Sequence, residues 1–360
     1  MKRFAIIGLI ILIIGAFILV PLLKNSGSEE ITDGFPASFN FDENLASNFG
    51  KDIPIVFTVK NDDIAKVELI YNDSVFKTWN APKKGTINFL LDADFYGVGT
   101  KSLVLRSTLK DGGSEEDLRM LRILSDISPA PLTAEIVNSY PHDTKSYTQG
   151  LEFNNGQLYE GTGNPQNTGE SVVAKVNLTT GALSEKNALD ATYFGEGITM
   201  MGDELFQLTW RDGKCFVYDK NTLTIKLKEF AYTGEGWGLC NDGKYLIMSD
   251  GSERITFRDP KTFQPVRTIE VYDNVGPRTM LNELEYKDGK IYANVYQTNF
   301  VITIDPLTGK VLEQIDATAL AAAGKMGGDV LNGIAYNAAT NKLYMTGKYW
   351  GKLFEVKLVE

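Results

Sequence analysis

The sequence predicts an all-β chain: a five-bladed β-propeller, preceded by a small immunoglobulin-like β-sandwich and an N-terminal transmembrane helix. Three observations carry that expectation. A motif recurs five times in the larger, C-terminal part, at intervals of about forty to fifty residues. Short alternating runs fill the region before it. One uninterrupted apolar stretch opens the chain.

The apolar stretch comes first. Lys2 and Arg3 precede an uncharged run from Phe4 to Leu23, and about twenty such residues suffice to cross a bilayer as a helix. A cleaved signal has a shorter apolar core and a small-residue cleavage site. Residues 1–24 therefore read as an uncleaved, single-pass anchor in the cell membrane. Its positive end stays cytoplasmic and everything after Lys24 is exported. Residues 25–34 form a polar linker.

Residues 35–126 hold "DIPIVFTVKN", "IAKVELIYND", "GTINFLLDA" and "KSLVLRSTLKD". Alternating runs separated by Asn, Asp, Gly and Lys predict the small sandwich. No catalytic cluster is visible in it, which suits a spacer or docking module. "SDISPAP", at Ser125–Pro131, marks the boundary to the propeller at residues 132–360.

The repeat begins there. "QGLEFNNGQLYEGTG" starts at Gln149, "EGITMMGDELFQLTW" at Glu196 and "EGWGLCNDGKYLIMSDG" at Glu235. "NELEYKDGKIYANVY" starts at Asn282 and "NGIAYNAATNKLYMTGK" at Asn332. The starts are 47, 39, 47 and 50 residues apart, a period typical of propeller blades. The last blade ends at Glu360 after its third strand. "TAEIVNSY", at Thr133–Tyr140, has no blade of its own, so it should supply the outer strand of the last blade and close the ring. Gln149, Glu196, Glu235, Asn282 and Asn332 should form a polar ring where the inner strands begin. The glycines beside them would let those strands approach closely. "FGEGIT" and "TGEGWGL" then have two readings: mere blade starts, or a carboxylate at the mouth of a site.

Composition excludes several classes. Asp plus Glu number 46 against 36 Lys plus Arg, a net charge of −10, so nucleic acid is not an expected partner. Two cysteines and one histidine cannot build a Cys/His zinc site. Cys215 and Cys240 read as small buried hydrophobes, or as a pair if the compartment oxidises them. A Ser-His-Asp or Cys-His mechanism would rest wholly on His142.

A longer pattern is also present. "YPHDTKSYTQGLEF", "LYEGTG", "YFGEGIT", "FQLTW", "EGWGL", "LIMSDGS", "LNELEY", "ANVYQTN", "LNGIAY" and "TGKYWGKLFEV" occur in that order. Together they closely resemble the plant-type glutaminyl-peptide cyclotransferases, which also occur in bacteria. The resemblance spans nearly all of residues 134–358. It implies a five-bladed propeller that converts N-terminal glutamine of peptides or proteins to pyroglutamate and releases ammonia. By that resemblance Glu196 is the general acid/base. Phe194 and Trp210 wall the site and Trp237 stacks over the substrate. Gln149 and Asn282 hydrogen-bond its amide and backbone. Lys348 donates to the oxyanion or orients Glu196. Tyr296 and Tyr147 complete the substrate-binding set; they stand where the family usually shows tryptophan and commonly shows phenylalanine. The chemistry requires no cofactor and no metal, although carboxylates and carbonyls on the axis leave room for a structural calcium ion.

Other residues read as structural. His142 and Asp143 suit a turn, as do Asp250 and Asp305. Trp350 should pack behind Lys348, and "ATALAAAGK" at Ala317–Lys325 should form a short helix over the channel. Glu283 and Glu285 could face away from the ring or bind within it. Two competing functions remain: a calcium-dependent lactonase-like hydrolase, and a non-catalytic propeller that binds envelope peptides or glycan.

Overall fold

Buried and more exposed residues alternate in Ile53–Val59 and Gly99–Leu109, the period of half-buried strands; Gly195–Met201 and Leu331–Asn337 are instead buried almost throughout. The computed structural model describes residues 34–41, 44–165, 169–223 and 226–360. They fold almost entirely as strands, joined by a 3-10 turn at Ala93–Tyr96 and an α-helix at Thr318–Gly324. The expected anchor at residues 1–24 lies outside the described residues. Among the described residues no helix is long and apolar enough to cross a membrane.

The first module is a two-sheet sandwich. Ala37–Phe39, Ile53–Val59 and Gly85–Leu91 make one sheet. Asn44–Asn48, Ser114–Leu124, Gly99–Leu109, Ile64–Tyr71 and Ser74–Asn80 make the other. Ile53, Ile55, Phe57 and Val59 alternate inward and share a core with Val67, Leu69, Leu103 and Leu105. Burying each such side chain stabilises the fold by about 1.5–3 kcal/mol.

The remaining strands form a propeller-like ring of four-stranded antiparallel sets. The first strands of the sets are Thr148–Asn154, Gly195–Met201, Leu239–Asn241, Leu281–Lys287 and Leu331–Asn337. These five pack side by side in a closed circuit, the last against the first. Each set then meanders outward in chain order, except the last. There Ala130–Pro141 pairs antiparallel with Lys352–Val359 as the outermost strand, so the segment before the first repeat does close the ring. The same strand also pairs in parallel with Val311–Asp316 of the fourth set, from Glu313 opposite Ala130 to Asp316 opposite Thr133. That seam had no signal in the sequence.

The sandwich rests on the ring. Lys101 pairs with Glu270, Val98 N donates to Thr308 O (2.9 Å) and Ser125 N to Asp273 O (3.1 Å). Phe35–Glu360 forms one unit.

Close approach of the inner strands requires glycine. A Cβ on Gly197 would strike the backbone of Gly238 and Leu239, and one on Gly238 would strike the Asn282 carbonyl. These contacts also correct the repeat. Gly150, Gly197 and Gly238 are equivalent, so the third repeat reads Trp237-Gly238-Leu239 and starts two residues after Glu235. Glu235 is not in the ring; Trp237 takes that place. The reason is local: Gly236 N is bound to Trp210 O (2.9 Å) and Gly197 N to Trp237 O (2.8 Å). "TGEG" therefore belongs to the connection from the second set, not to the third set's inner strand.

Candidate active site

Four of the five inner strands break their ladder where they begin. The interruptions fall between Thr148 and Gly150, Gly195 and Ile198, Leu281 and Leu284, and Leu331 and Ile334. Bulges of this kind re-aim side chains, and the skipped positions include Gln149, Glu196, Asn282 and Asn332. All nine residues expected at the site line one cavity of about 340 Å³, with Pro165 added to them. No pattern in the sequence pointed to Pro165.

Glu196 is 4% exposed. Gln149 Nε2 donates to Glu196 Oε1 (2.9 Å), and Asn332 Nδ2 holds Gln149 in turn through its Oε1 (3.3 Å). Burial pushes the Glu196 carboxyl well above the usual range; Lys348 offsets part of this and Glu235 adds to it. Asn282 lines the cavity and is 2% exposed, and among the described residues its buried Oδ1 has no hydrogen-bond partner, so it is an acceptor left unpaired at the cavity wall.

Lys348 is 2% exposed. Its backbone is clamped by Lys348 N to Val330 O (2.9 Å) and Asp329 N to Lys348 O (2.8 Å). Among the described residues Nζ makes no ion pair; it sits 4.4 Å from the Tyr147 ring centroid and 4.9 Å from that of Tyr296. Such cation–π contacts hold an ammonium without neutralising it. Burial lowers the amine to about 8, with Glu196 and Asp329 acting against the fall. Gln149, not Lys348, is therefore the group that grips Glu196.

Rings form the walls. Phe194 meets Trp210 at 5.6 Å between centroids and Tyr147 at 6.1 Å, and Trp237 meets Tyr296 edge-on at 5.5 Å. Burial raises the Tyr147 phenol above its ordinary value, with Tyr296 adding to the rise. Gly251, with a φ of 82°, lies under the Trp237 ring, where a Cβ would come within 2.6 Å of Cε2. Behind the wall, Glu235 accepts from the indoles of both Trp210 and Trp237.

The structural residues are equally definite. His142 bonds Trp350 O through Nδ1 (2.8 Å) and Glu160 Oε1 through Nε2 (3.1 Å). Burial alone would lower the imidazole, but the Glu160 carboxylate raises it above its ordinary value. Glu160 also accepts from Thr148 Oγ1 (2.7 Å), which anchors the segment carrying Tyr147 and Gln149. Trp350 is fully buried and donates to Asp329 O (2.9 Å), beside Lys348. Cys215 and Cys240 are buried thiols in separate cores.

Glu283 turns into the ring: Oε1 accepts from Leu151 N (3.1 Å) and Oε2 from Ile334 N (2.8 Å). Glu285 does the same for Tyr336 N (2.8 Å), and Glu152 for Met200 N. These carboxyls brace neighbouring inner strands. Among the described residues no group of three or more His, Cys, Asp or Glu side chains is arranged to hold a metal ion.

A propeller-like ring here brings a buried carboxyl, a buried amine and a wall of aromatic rings to one cavity. Residues 114–358 match the glutamine cyclotransferase family. The chain is 39% identical over 239 residues to a glutaminyl-peptide cyclotransferase of Arabidopsis thaliana, covering 65% of this chain and 73% of the relative. Among solved structures it is similar to the glutaminyl cyclase of Myxococcus xanthus, with a TM-score of 0.60 and 37% identity, over 65% of this chain and all of that one. The chain belongs to the glutamine cyclotransferase family, and its activity is that of a glutaminyl-peptide cyclotransferase.

Proposed function

We propose that Glu196 moves both protons in the closure of an N-terminal glutamine to pyroglutamate. The observation that carries this is a buried carboxyl held by Gln149, facing the same cavity as Lys348 and the aromatic walls. The peptide's α-amine attacks its own side-chain carboxamide carbon. The reaction is intramolecular, so holding the chain folded back supplies much of the rate. As the C–N bond forms, Glu196 takes the proton from the attacking nitrogen. It returns that proton to the departing nitrogen, the second C–N bond breaks, and ammonia leaves. A carboxyl raised toward neutrality is suited to both steps, which together contribute about 10²–10⁴-fold. Lys348 faces the developing oxyanion, and a fixed donor of this kind contributes about 3–4 kcal/mol. Asn282 Oδ1 accepts from the substrate amine or backbone. Phe194, Trp210, Trp237, Tyr147 and Tyr296 enclose the side chain and exclude water.

The ring is read as a five-bladed propeller and the first module as immunoglobulin-like. The apolar run after Lys2 and Arg3 supports anchorage of residues 1–24 in the cell membrane, with the catalytic part exported. No cofactor enters the steps above.

One assay tests the reading. The chain is incubated with a short Gln-initiated peptide, and ammonia and a mass loss of about 17 Da are followed, as ring closure demands. Glu196→Gln should lower kcat by about 10³-fold with the fold intact. Equal activity in that variant would show that another group carries the protons. A chelator should leave the rate unchanged; loss of activity would favour metal-assisted chemistry instead.

A further inference from the structure

We propose that Glu235 is a positioning residue: its carboxylate fixes the separation of the two indoles, Trp210 and Trp237, between which the substrate's side chain binds. This rests on the cyclotransferase reading above and assigns a role to the second of the two similar motifs. One oxygen, Oε2, accepts from Trp210 Nε1 (2.7 Å) and from Trp237 Nε1 (2.9 Å). Two donors on one acceptor cannot drift apart without losing a bond. The rings come from different places: Trp210 follows the second strand of the second set, and Trp237 precedes the first strand of the third. Glu235 thus ties two sets together at the cavity wall.

The other oxygen, Oε1, accepts from Arg211 Nε (2.9 Å). The Arg211 guanidinium lies 3.7 Å over the Trp210 ring. Arg211 therefore caps the indole and balances the carboxylate at once. Glu235 does not line the cavity, and its side chain is 36% exposed. It touches the walls and not the space the substrate would fill. Its backbone is fixed on both sides, through Gly236 N to Trp210 O (2.9 Å) and Trp237 N to Ser249 O (3.1 Å).

The test compares the full-length wild type with Glu235→Ala, Glu235→Gln and Glu196→Gln on a Gln-initiated peptide. Glu235→Ala frees both indoles. It should raise KM about tenfold and leave kcat within about threefold, because a loosened wall weakens binding and spares proton transfer. Near-ultraviolet circular dichroism should lose the signal of the two ordered indoles. Glu235→Gln keeps an accepting oxygen and loses the charge, so it should restore most of the affinity and the dichroism. Unchanged KM in both variants overturns the proposal. So does a fall in kcat to the level of Glu196→Gln, which would make Glu235 itself the proton carrier. Should Glu235→Ala not fold, Glu235→Gln decides alone: kcat retained with KM raised about two- to threefold supports the role, and any other split overturns it. An inactive wild type would fail the parent reading, whereas active, unaffected Glu235 variants fail only this one.

Discussion

The amide of Gln149 reaches from the first set to the second and donates to Oε1 of Glu196 across 2.9 Å. A donor to a carboxylate favours its ionised form and draws its pKa down, against the burial that raises it. Removing the donor should raise the carboxyl further. Gln149→Leu is therefore expected to move the acid limb of kcat/KM to higher pH, with maximal kcat reduced less than tenfold. A pH profile of the variant measures this; an unmoved acid limb would mean that Gln149 does not act on Glu196.

Lys348 is charged below about 8 and loses its proton above it. An oxyanion donor that must be cationic then gives the wild type an alkaline limb in kcat near that pH. Lys348→Met should lower kcat by about 10²-fold and abolish that limb. An alkaline limb that survives in the variant would assign it to another group.

Gly251 holds a left-handed φ of 82° beneath the Trp237 ring. Gly251→Ala adds strain of about 1–3 kcal/mol and displaces the indole. Urea denaturation should register the first effect, and a KM raised more than kcat is lowered should register the second.

The channel carboxyls give stability its own pH dependence. Burial pushes Glu152 from an ordinary 4.5 to about 7, with Thr199 and the bonds from Met200 N opposing the rise. Below 4.5 the group is protonated folded or unfolded and contributes nothing. Between 4.5 and 7 the unfolded chain ionises while the folded one keeps its proton, so stability falls as pH rises through that window. Glu283 and Glu285 are shifted in the same direction, chiefly by burial. Urea midpoints should decline from pH 5 to pH 7, about, and Glu152→Gln should flatten the decline.

Much of this was legible in the residues. Periodicity gave the strands, and the strand signal at Thr133–Tyr140, which had no blade of its own, went to the edge of the last set, where it pairs. The ordered motifs gathered nine side chains that do line one cavity. What stayed hidden depends on contacts between distant segments. "EGI" and "EGW" look alike as strings, yet only packing tells which glycine meets the next strand, so Glu235 was assigned to the ring in place of Trp237. Its bond to Trp210 crosses 25 positions and leaves no periodic trace. The tyrosines at 147 and 296 looked like two separate departures from the family pattern. Their rings share the Lys348 ammonium, so they are one paired change.

The strand Ala130–Pro141 borders two sets at once, in parallel with one and antiparallel with the other. The leading module is consequently no bead on a flexible string. Whatever torque it receives is delivered into the joint between the fourth and fifth sets, the latter carrying Lys348 at the end of its second strand. The chain leaving the leading module thus runs directly into the seam between the fourth and fifth sets.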